Sequence, residues 1–202
     1  MGRDKASLLW GESSLLEHAI GRMRQVTARV VVSGDQQHAS AIAIPDMNPG
    51  CGPLGGLRTC LAHSDTDWNL VLAVDMPLAS PELLRFIAER CHEAVLAAVP
   101  SVQKEENSLS ASPERVLQPL CAAYHRRLLP LMDQALVSGD FSIHRLLERV
   151  STGIMSAETK AVRVIGEDEL LSAGFSREML FNINTPEDLE RARTLARTLH
   201  VK

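Results

Sequence analysis

Short apolar runs alternate with helical hydrophobic patterns along almost the whole chain. In the first helical pattern, Leu16, Ala19, Ile20 and Met23 recur on one face, as in an amphipathic helix. Strands that alternate with helices in this way indicate an α/β fold with a mostly parallel sheet and right-handed crossovers. The chain shows no internal repeat and no clear linker, so we expect a single domain over residues 1–202. The runs that predict strands are 29–32, 41–44, 69–74, 94–99, 117–124, 162–165 and 180–183.

Local signals refine this pattern at several places. The run 69–74 is almost wholly apolar, as expected for a strand that helices cover on both faces. Ser80 is followed by a proline and a glutamate, which together are typical of a helix start. Thr185, with Asp188 three positions later, resembles a capping box at the start of the last helix. Residues 101–116 are polar and without a period, which predicts a loop.

The composition excludes several classes of protein. The chain has 202 residues, is 45% hydrophobic and only 3% aromatic, and carries a net charge of −4. With so few aromatic residues and no basic run longer than two residues, we expect no nucleic-acid partner. The longest apolar run, 94–99, is far shorter than the roughly 20 residues of a membrane span.

The N-terminal residues and the cysteines point to a cytoplasmic location. Arg3, Asp4 and Lys5 stand where the apolar segment of a secretory signal would have to start. The four cysteines form no CxxC pair, which favours reduced, packed thiols.

Four polar residues fall at the predicted carboxyl ends of strands, where α/β folds bind ligands. Asp75 directly follows the predicted strand 69–74, and Asp46 follows the predicted strand 41–44 after Pro45. Asn182 and Asn184 flank the end of another. A carboxylate at such an edge suits Mg²⁺, which prefers oxygen ligands. Each residue also has a simpler interpretation: the aspartates as turn residues, and the asparagines as local hydrogen-bonding groups before a helix cap.

A glycine-rich segment, Gly52-Pro53-Leu54-Gly55-Gly56, lies between a predicted strand and a predicted helix. Glycines allow positive φ angles and a close approach of the backbone to a ligand. The simpler interpretation is a tight connection between strand and helix. The segment is neither a P-loop nor a GxGxxG motif. The histidines form no HxxxH pair and no Cys–His cluster, so the sequence does not predict a zinc site.

Six segments recur together in an order that is typical of one family. They are MGRDKASL at 1–8, LLEHAIGRM at 15–23, PDMNPGCGPLGGL at 45–57, VLAVDMPLASPELL at 71–84, QPLCAAYHRRLLP at 118–130 and FNINTPEDLERAR at 181–193. Together they resemble the molybdenum cofactor guanylyltransferase family, the MobA-like proteins. The resemblance covers most of the chain and leaves 101–116 and 151–180 poorly matched. It implies a single-domain, three-layer Rossmann-like fold of the nucleotide-diphospho-sugar transferase type.

The resemblance also implies a reaction. Members of this family transfer GMP from GTP to the phosphate of molybdopterin, or of its molybdenum-loaded form, and release pyrophosphate. GTP and molybdopterin are therefore the expected substrates and Mg²⁺ the expected cofactor. We further expect a monomer, with molybdoenzyme maturation proteins as partners that take the product.

Residue roles follow from the same resemblance. Lys5 takes the place of the family lysine that contacts the GTP phosphates, and Asp75 that of the aspartate that holds the nucleotide and Mg²⁺. These two are the implied catalytic residues. Asp46 and the run 52–56 match the family's nucleotide pocket.

Three further positions are assigned by resemblance. Asn182 and Asn184 match a terminal NxNTPE motif on the substrate side of the reaction centre. Ser33 stands where relatives commonly carry asparagine, and its shorter hydroxyl reaches the nucleotide only if it lies closer.

The N-terminal end departs from the family pattern. That pattern begins with a strand and a glycine-rich phosphate loop, of which this sequence contains only the end, residues 1–6. The resemblance thus implies that the first strand and its loop are missing, and we expect weak GTP binding and low stability for such a chain. Two rival functions remain: a cytidylyltransferase of the same superfamily, and a nucleotide-binding protein that no longer catalyses transfer.

Overall fold

The computed structural model describes residues 5–34, 41–103, 115–152 and 161–199 and shows helices packed on both faces of a central sheet. The predicted α/β class is confirmed. The helices are α1 (Leu15–Arg24), α2 (Gly52–Ala62), α3 (Pro81–Ala88), α4 (Leu129–Val137), α5 (Ile143–Thr152), α6 (Glu167–Ser172) and α7 (Pro186–Thr198). The strands are β1 (Leu9–Trp10), β2 (Ser13–Ser14), β3 (Val31–Ser33), β4 (Ile42–Ile44), β5 (Trp68–Leu72), β6 (Ala97–Gln103), β7 (Arg115–Leu117), β8 (Cys121–His125) and β9 (Val162–Ile165). Short 3-10 turns lie at Lys5–Ser7, Arg126–Leu128 and Arg177–Leu180.

The main sheet has the strand order β5-β8-β6-β7, with β9 paired to β6. β5 and β6 both run antiparallel to β8, and β9 is parallel to β6. β5, β6 and β9 therefore share one direction, and β7 and β8 run against it. Most pairings of this sheet are antiparallel, which differs from the mostly parallel sheet that the sequence predicts. β3 and β4 form a separate parallel pair, and β1 and β2 a small antiparallel one.

The buried strand β8 shows how the sheet divides the core. Ala122 and Tyr124 belong to the apolar cluster that includes α2, α4 and α5. Cys121 and Ala123 belong to the cluster that includes α3 and α6. Successive side chains of a strand point to opposite faces, so both faces of β8 are covered by helices. This arrangement is the expected three-layer architecture.

The predicted starts of α3 and α7 are confirmed. The Ser80 hydroxyl accepts a hydrogen bond from the Leu83 N–H over 3.1 Å. The Thr185 hydroxyl accepts one from the Asp188 N–H, and the Asp188 carboxylate accepts one in return from the Thr185 N–H. Both helices start where the sequence places a side chain that satisfies the free N–H groups of the first turn.

The strand predicted over 180–183 is wrong. The chain forms the 3-10 turn Arg177–Leu180 there and then continues without ladder pairing in the described part of the chain. Leu180 packs in the cluster of α3, and Ile183 packs in a separate cluster with α7. The two apolar residues thus anchor a connection between two clusters.

The loop predicted over 101–116 is wrong at both of its ends. Ser101–Gln103 continue β6 and pair with Arg115–Leu117 of β7, while 104–114 lie outside the described residues. Polar residues enter this ladder because its hydrogen bonds use the backbone and need no apolar periodicity. The strand predicted over 117–124 is likewise divided, since 118–120 separate β7 from β8.

An apolar groove of about 860 Å³ lies between β3 and β5. Within the described ranges, each of these strands pairs along one edge only, with β4 and with β8 respectively. The residues of 69–74 line the groove and are half-buried, so the expectation of complete cover does not hold for this strand. In the same described ranges, no helix combines the length and apolar character that a membrane span requires.

Candidate functional site

Three of the residues predicted from the sequence meet beyond the carboxyl end of β5. The Lys5 ammonium donates hydrogen bonds to Asp75 Oδ2 and to Asn184 Oδ1, both over 2.9 Å. Asp75 and Asn184 lie 70 and 179 positions from Lys5 along the chain, so folding alone brings them together. The ion pair is partly shielded from solvent, because the Lys5 and Asp75 side chains are 31% and 20% exposed.

The backbone fixes Asp75 where its carboxylate reaches this cluster. The Met76 N–H donates to the Ala73 carbonyl over 3.2 Å, so the turn of the simpler interpretation is present. That turn does not use the Asp75 carboxylate, and the Asp75 carbonyl accepts a hydrogen bond from the Ile183 N–H over 2.8 Å. This last bond joins the segment before α7 to the end of β5.

The second carboxylate oxygen of Asp75 takes no part in the contact with Lys5. Asp75 Oδ1 is buried and accepts no hydrogen bond from the described part of the chain. A buried acceptor without a partner costs about 1–3 kcal/mol, so it is a natural position for a bound cation or donor. The cluster therefore combines a cation, a carboxylate oxygen without a partner and an amide.

Asn182 and Asn184 flank the buried Ile183, and their side chains contact different partners. The Asn184 backbone N–H donates to the Asp188 carboxylate over 2.9 Å, which leaves its side chain to Lys5. This bond, together with that from the Thr185 N–H, holds the pKa of Asp188 below its usual value. Asn182 Nδ2 donates to the Leu180 carbonyl over 3.4 Å, so part of the local interpretation is correct for this residue.

Asp46 lies in a second group of predicted residues, at the start of α2. Its Oδ1 accepts hydrogen bonds from the Asn48 N–H over 2.9 Å and from the Thr59 hydroxyl over 3.4 Å. Asp46 therefore stabilises the turn that leads into α2, as its simpler interpretation predicts. Only one of its two oxygens takes part in these bonds.

The predicted glycine loop is corrected by the structure: Gly52–Gly56 lie in the first turns of α2 and not in a loop. Pro53 favours this, because its fixed φ and missing N–H suit the first turn of a helix. A Cβ on Gly55 would lie 2.8 Å from the Asn48 carbonyl oxygen, and one on Gly56 would lie 3.3 Å from Ser33 Oγ. Both glycines thus allow close packing of α2 on its preceding turn and on β3.

The two groups lie on different sides of the groove. Ser33, Pro53 and Gly56 line it near α2, and Val74 lines it immediately before Asp75. In the part of the chain that the structure describes, no hydrogen bond connects one group to the other. Burial raises the pKa of the Cys60 thiol, which also lines the groove.

Sequence reasoning assigned no role to Gln118, which contacts a predicted site residue. Gln118 Oε1 accepts a hydrogen bond from Asn182 Nδ2 over 3.2 Å. Pro119 is the sequence feature that could have indicated this, because a proline inside an apparent strand is typical of a bulge or an edge strand. A bulge redirects side chains, and bulges are frequent beside functional sites.

Among the described residues, no group of three or more His, Cys, Asp or Glu side chains could hold a metal ion by itself. Asp75 supplies a single carboxylate. This donor set differs from that of a closed structural metal site and is compatible with a cation that takes most of its ligands from a substrate.

The sequence model of the MobA-like NTP transferase domain matches residues 1–179. The chain belongs to this family. It is 28% identical over 200 residues to a probable molybdenum cofactor guanylyltransferase of Pelotomaculum thermopropionicum, a match that covers 97% of this chain and 87% of the relative. It is 25% identical to the molybdenum cofactor guanylyltransferase of Vibrio cholerae, covering 93% and 82% of the two chains. Family membership makes the protein a nucleotidyltransferase and confirms the family resemblance of the sequence segments.

Solved structures agree with the family in fold. Molybdopterin-guanine dinucleotide biosynthesis protein A from Archaeoglobus fulgidus matches with a TM-score of 0.72 and 25% identity, over 98% of this chain and 92% of that one. The 2-C-methyl-D-erythritol 4-phosphate cytidylyltransferase from Thermus thermophilus matches with a TM-score of 0.66 and 21% identity, over 96% and 94%. The second likeness shows a shared nucleotidyltransferase fold.

Proposed function

We propose that this protein is a molybdenum cofactor guanylyltransferase that transfers GMP from GTP to the phosphate of molybdopterin. An acceptor phosphate oxygen attacks the α-phosphorus of GTP, the bond from that phosphorus to the β-phosphate oxygen breaks, and pyrophosphate leaves. No covalent enzyme intermediate is required, so positioning and charge neutralisation supply the rate enhancement. The names of the relatives and the Lys5–Asp75–Asn184 cluster support this proposal.

The observation that carries the proposal is the Lys5–Asp75 contact of 2.9 Å beside an Asp75 oxygen without a partner. An ammonium group has three N–H donors, of which Asp75 and Asn184 accept two. The third has no acceptor among the described residues and would donate to a phosphate oxygen, while the positive charge stabilises the departing pyrophosphate. Asn184 holds the ammonium in this position.

The donor set at Asp75 also fits Mg²⁺. Its Oδ1 would hold the ion, which commonly binds to one or two carboxylates and takes its other ligands from water and phosphates. When bound, Mg²⁺ would neutralise charge on the attacked phosphate and on the leaving pyrophosphate. The role of Asp75 as ligand is part of this proposal.

We place the nucleoside of GTP at the second group, near α2. The Asp46 carboxylate keeps one oxygen outside the Asn48 and Thr59 bonds, and the guanine edge carries N–H groups that a carboxylate accepts. Because residue 56 is a glycine, Ser33 lies close to α2. The Ser33 hydroxyl would therefore reach a ligand in the groove. Pro53, Leu54 and the rest of the first turns of α2 would pack against this nucleoside.

The remaining expectations belong to the same proposal. The protein would act as a cytoplasmic monomer and pass its product to molybdoenzyme maturation proteins. Size-exclusion chromatography with light scattering tests the monomer, since a second copy would double the measured mass.

The experiment measures pyrophosphate release and GMP transfer to molybdopterin in the presence of Mg²⁺, with GTP and with CTP. We expect GTP to be preferred over CTP as the donor, with a high KM for GTP in keeping with the weak binding expected from the sequence. Asp75→Asn and Lys5→Gln each remove a charge-assisted contact of about 1.5–3 kcal/mol, which predicts a fall in kcat/KM of about 10- to 150-fold. Asp133→Asn is the matched control, because it removes an ion pair with Arg58 that joins α2 to α4 outside the cluster.

The outcomes separate the proposal from its rivals. Transfer with CTP in preference to GTP would support the cytidylyltransferase. Nucleotide binding, seen as a thermal shift, without pyrophosphate release would support the non-catalytic protein. Equal losses in Asp75→Asn and in the control would remove the Lys5–Asp75 cluster from the proposed mechanism.

A further inference from the structure

The connection between β7 and β8 is an enlarged bulge that faces the proposed site. On β6, Ser101 pairs with Leu117 and Ala98 pairs with Ala123. Between these two pairs, β6 advances by three residues while the opposite chain, from β7 to β8, advances by six. The opposite chain therefore contains three extra residues, which are 118–120. Such insertions redirect side chains away from the regular alternation of a strand.

Hydrogen bonds hold this bulge in one conformation. The hydroxyl of the buried Tyr124 donates to the Pro119 carbonyl over 2.6 Å. The Gln118 N–H donates to the Pro100 carbonyl over 2.8 Å, and the Leu120 carbonyl accepts from the Ala73 N–H over 2.7 Å. Burial raises the pKa of Tyr124, so its hydroxyl stays a donor at neutral pH. The hydrogen bond between Leu120 and Ala73 fixes the bulge to the turn that carries Asp75.

The hydrogen bonds around Asn182 also determine how two side-chain amides are oriented. The Leu180 carbonyl can only accept, so the atom of Asn182 that faces it is the Nδ2 donor. The same Nδ2 faces Gln118, so the Gln118 atom at 3.2 Å is the Oε1 acceptor. Gln118 Nε2 and Asn182 Oδ1 then remain without partners in the described part of the chain.

The two free groups belong to side chains that are hydrogen-bonded to each other beside the proposed reaction centre, so they offer one donor and one acceptor there. The Ile183 N–H bond to the Asp75 carbonyl, 2.8 Å long, holds Asn182 next to the end of β5. An N–H donor next to a carbonyl acceptor is complementary to a ring lactam, in which a C=O is adjacent to an N–H. Both guanine and a pterin ring carry such an edge.

We propose that Gln118 is a positioning and specificity-determining residue that orients Asn182 and, together with it, binds the lactam edge of the acceptor's heterocycle. This inference rests on the proposed function, which places guanine at α2 on the other side of the groove. The ring of the acceptor therefore binds at the Gln118–Asn182 pair. Gln118 acts on substrate binding and does not touch the phosphate that reacts.

The test measures the KM for molybdopterin, the KM for GTP and kcat for two variants of Gln118. Gln118→Met keeps the length of the side chain and removes both polar atoms, and we expect the KM for the acceptor to rise about tenfold, as for one lost hydrogen bond. Gln118→Glu keeps an oxygen for Asn182 but replaces the Nε2 donor, and we expect a similar rise. The KM for GTP stays unchanged in both. Gln134→Met, on an exposed position of α4, is the control.

Each result has a definite meaning. An equal rise of both KM values, or an unchanged KM for the acceptor in Gln118→Met, would overturn the inference while the wild-type transfer activity upholds the proposed function. Wild-type behaviour of Gln118→Glu would overturn the recognition of the lactam by Nε2. Absence of GMP transfer by the wild-type protein would instead contradict the proposed function. Urea unfolding of both variants shows whether a KM change reflects binding or loss of the folded bulge.

Discussion

β6 and β8, in the middle of the main sheet, and β3 and β5, beside the groove, are both rich in apolar residues but differ in burial. Ala97, Ala98 and Val99 of β6 are completely buried, as is Tyr124 of β8. Every residue of β3 and of β5 is only half-buried. The difference arises because β6 and β8 each have a strand on both edges, whereas β3 and β5 each face the groove on one edge in the described structure.

This comparison shows that apolar character alone does not determine how much a strand contributes to the core. The free energy of burial scales with the apolar area removed from water, at about 25 cal/mol per Å². A leucine beside the groove therefore contributes less than a leucine between the sheet and a helix. The following predictions test this difference, from the largest expected effect on stability to the smallest.

Truncation of a leucine should separate the two regions most clearly. Leu84 of α3 is completely buried, and Leu70 of β5 packs at the margin of the same apolar cluster. Leu84→Ala should lower the free energy of unfolding by about 2–5 kcal/mol, because it leaves a cavity in a closed core. Leu70→Ala should cost roughly 1–2 kcal/mol, because part of its surface already faces the groove. Urea unfolding followed by circular dichroism measures both, and equal losses would contradict the distinction.

Enlargement of an alanine should give a smaller difference in the same direction. Ala98 of β6 is completely buried, whereas Ala73 lines the groove. Ala98→Leu adds atoms to a filled core and should destabilise the protein by about 1–3 kcal/mol. Ala73→Leu extends into open space, so the melting temperature should change little. A larger loss for Ala73→Leu than for Ala98→Leu would show that the groove is closed in solution.

Thiol accessibility compares the regions without a change in stability. Burial raises the pKa of Cys121 to about 12 and that of Cys91 to about 11, so little of either is the reactive thiolate at pH 8, and access together with this small thiolate fraction sets the reaction rate. Cys91 and Cys60 line the groove and should react with N-ethylmaleimide in the native protein. Cys121, completely buried, should react only in urea. Peptide mapping by mass spectrometry identifies the modified residues; modification of Cys121 in parallel with Cys60 would refute the prediction.

Much of the local structure could be predicted from the sequence, because it depends on interactions between near neighbours. The caps at Ser80 and Thr185 are correct, since each serves an N–H group three residues later. The extended interpretation of 180–183 failed because these residues pair with no strand in the described part of the chain; the Ile183 N–H bonds instead to the Asp75 carbonyl at the end of β5. The glycine segment 52–56 became helical because its packing on the preceding turn, and not its glycine content, decides its conformation.

The candidate site shows a similar division. The sequence indicated Lys5, Asp75 and Asn184 through family segments, and the structure brings these three together. The structure also shows that the Asp46 carboxylate accepts a hydrogen bond from the Thr59 hydroxyl, a contact that no spacing in the sequence indicates. Gln118 was missed because its contact with Asn182 spans 64 positions and depends on a bulge. The catalytic and binding roles of these residues remain predictions for the assays above.

The sequence by itself determined the α/β class, the family, the helix starts and the residue types available for chemistry. These follow from periodicity and from contacts within a few residues, which the unfolded chain already carries. Only the tertiary structure decided that Lys5 meets Asp75 across 70 positions, that β5 borders a groove, and that an inserted bulge turns Gln118 towards Asn182. These features depend on long-range strand pairing and helix packing, whose geometry no local pattern specifies.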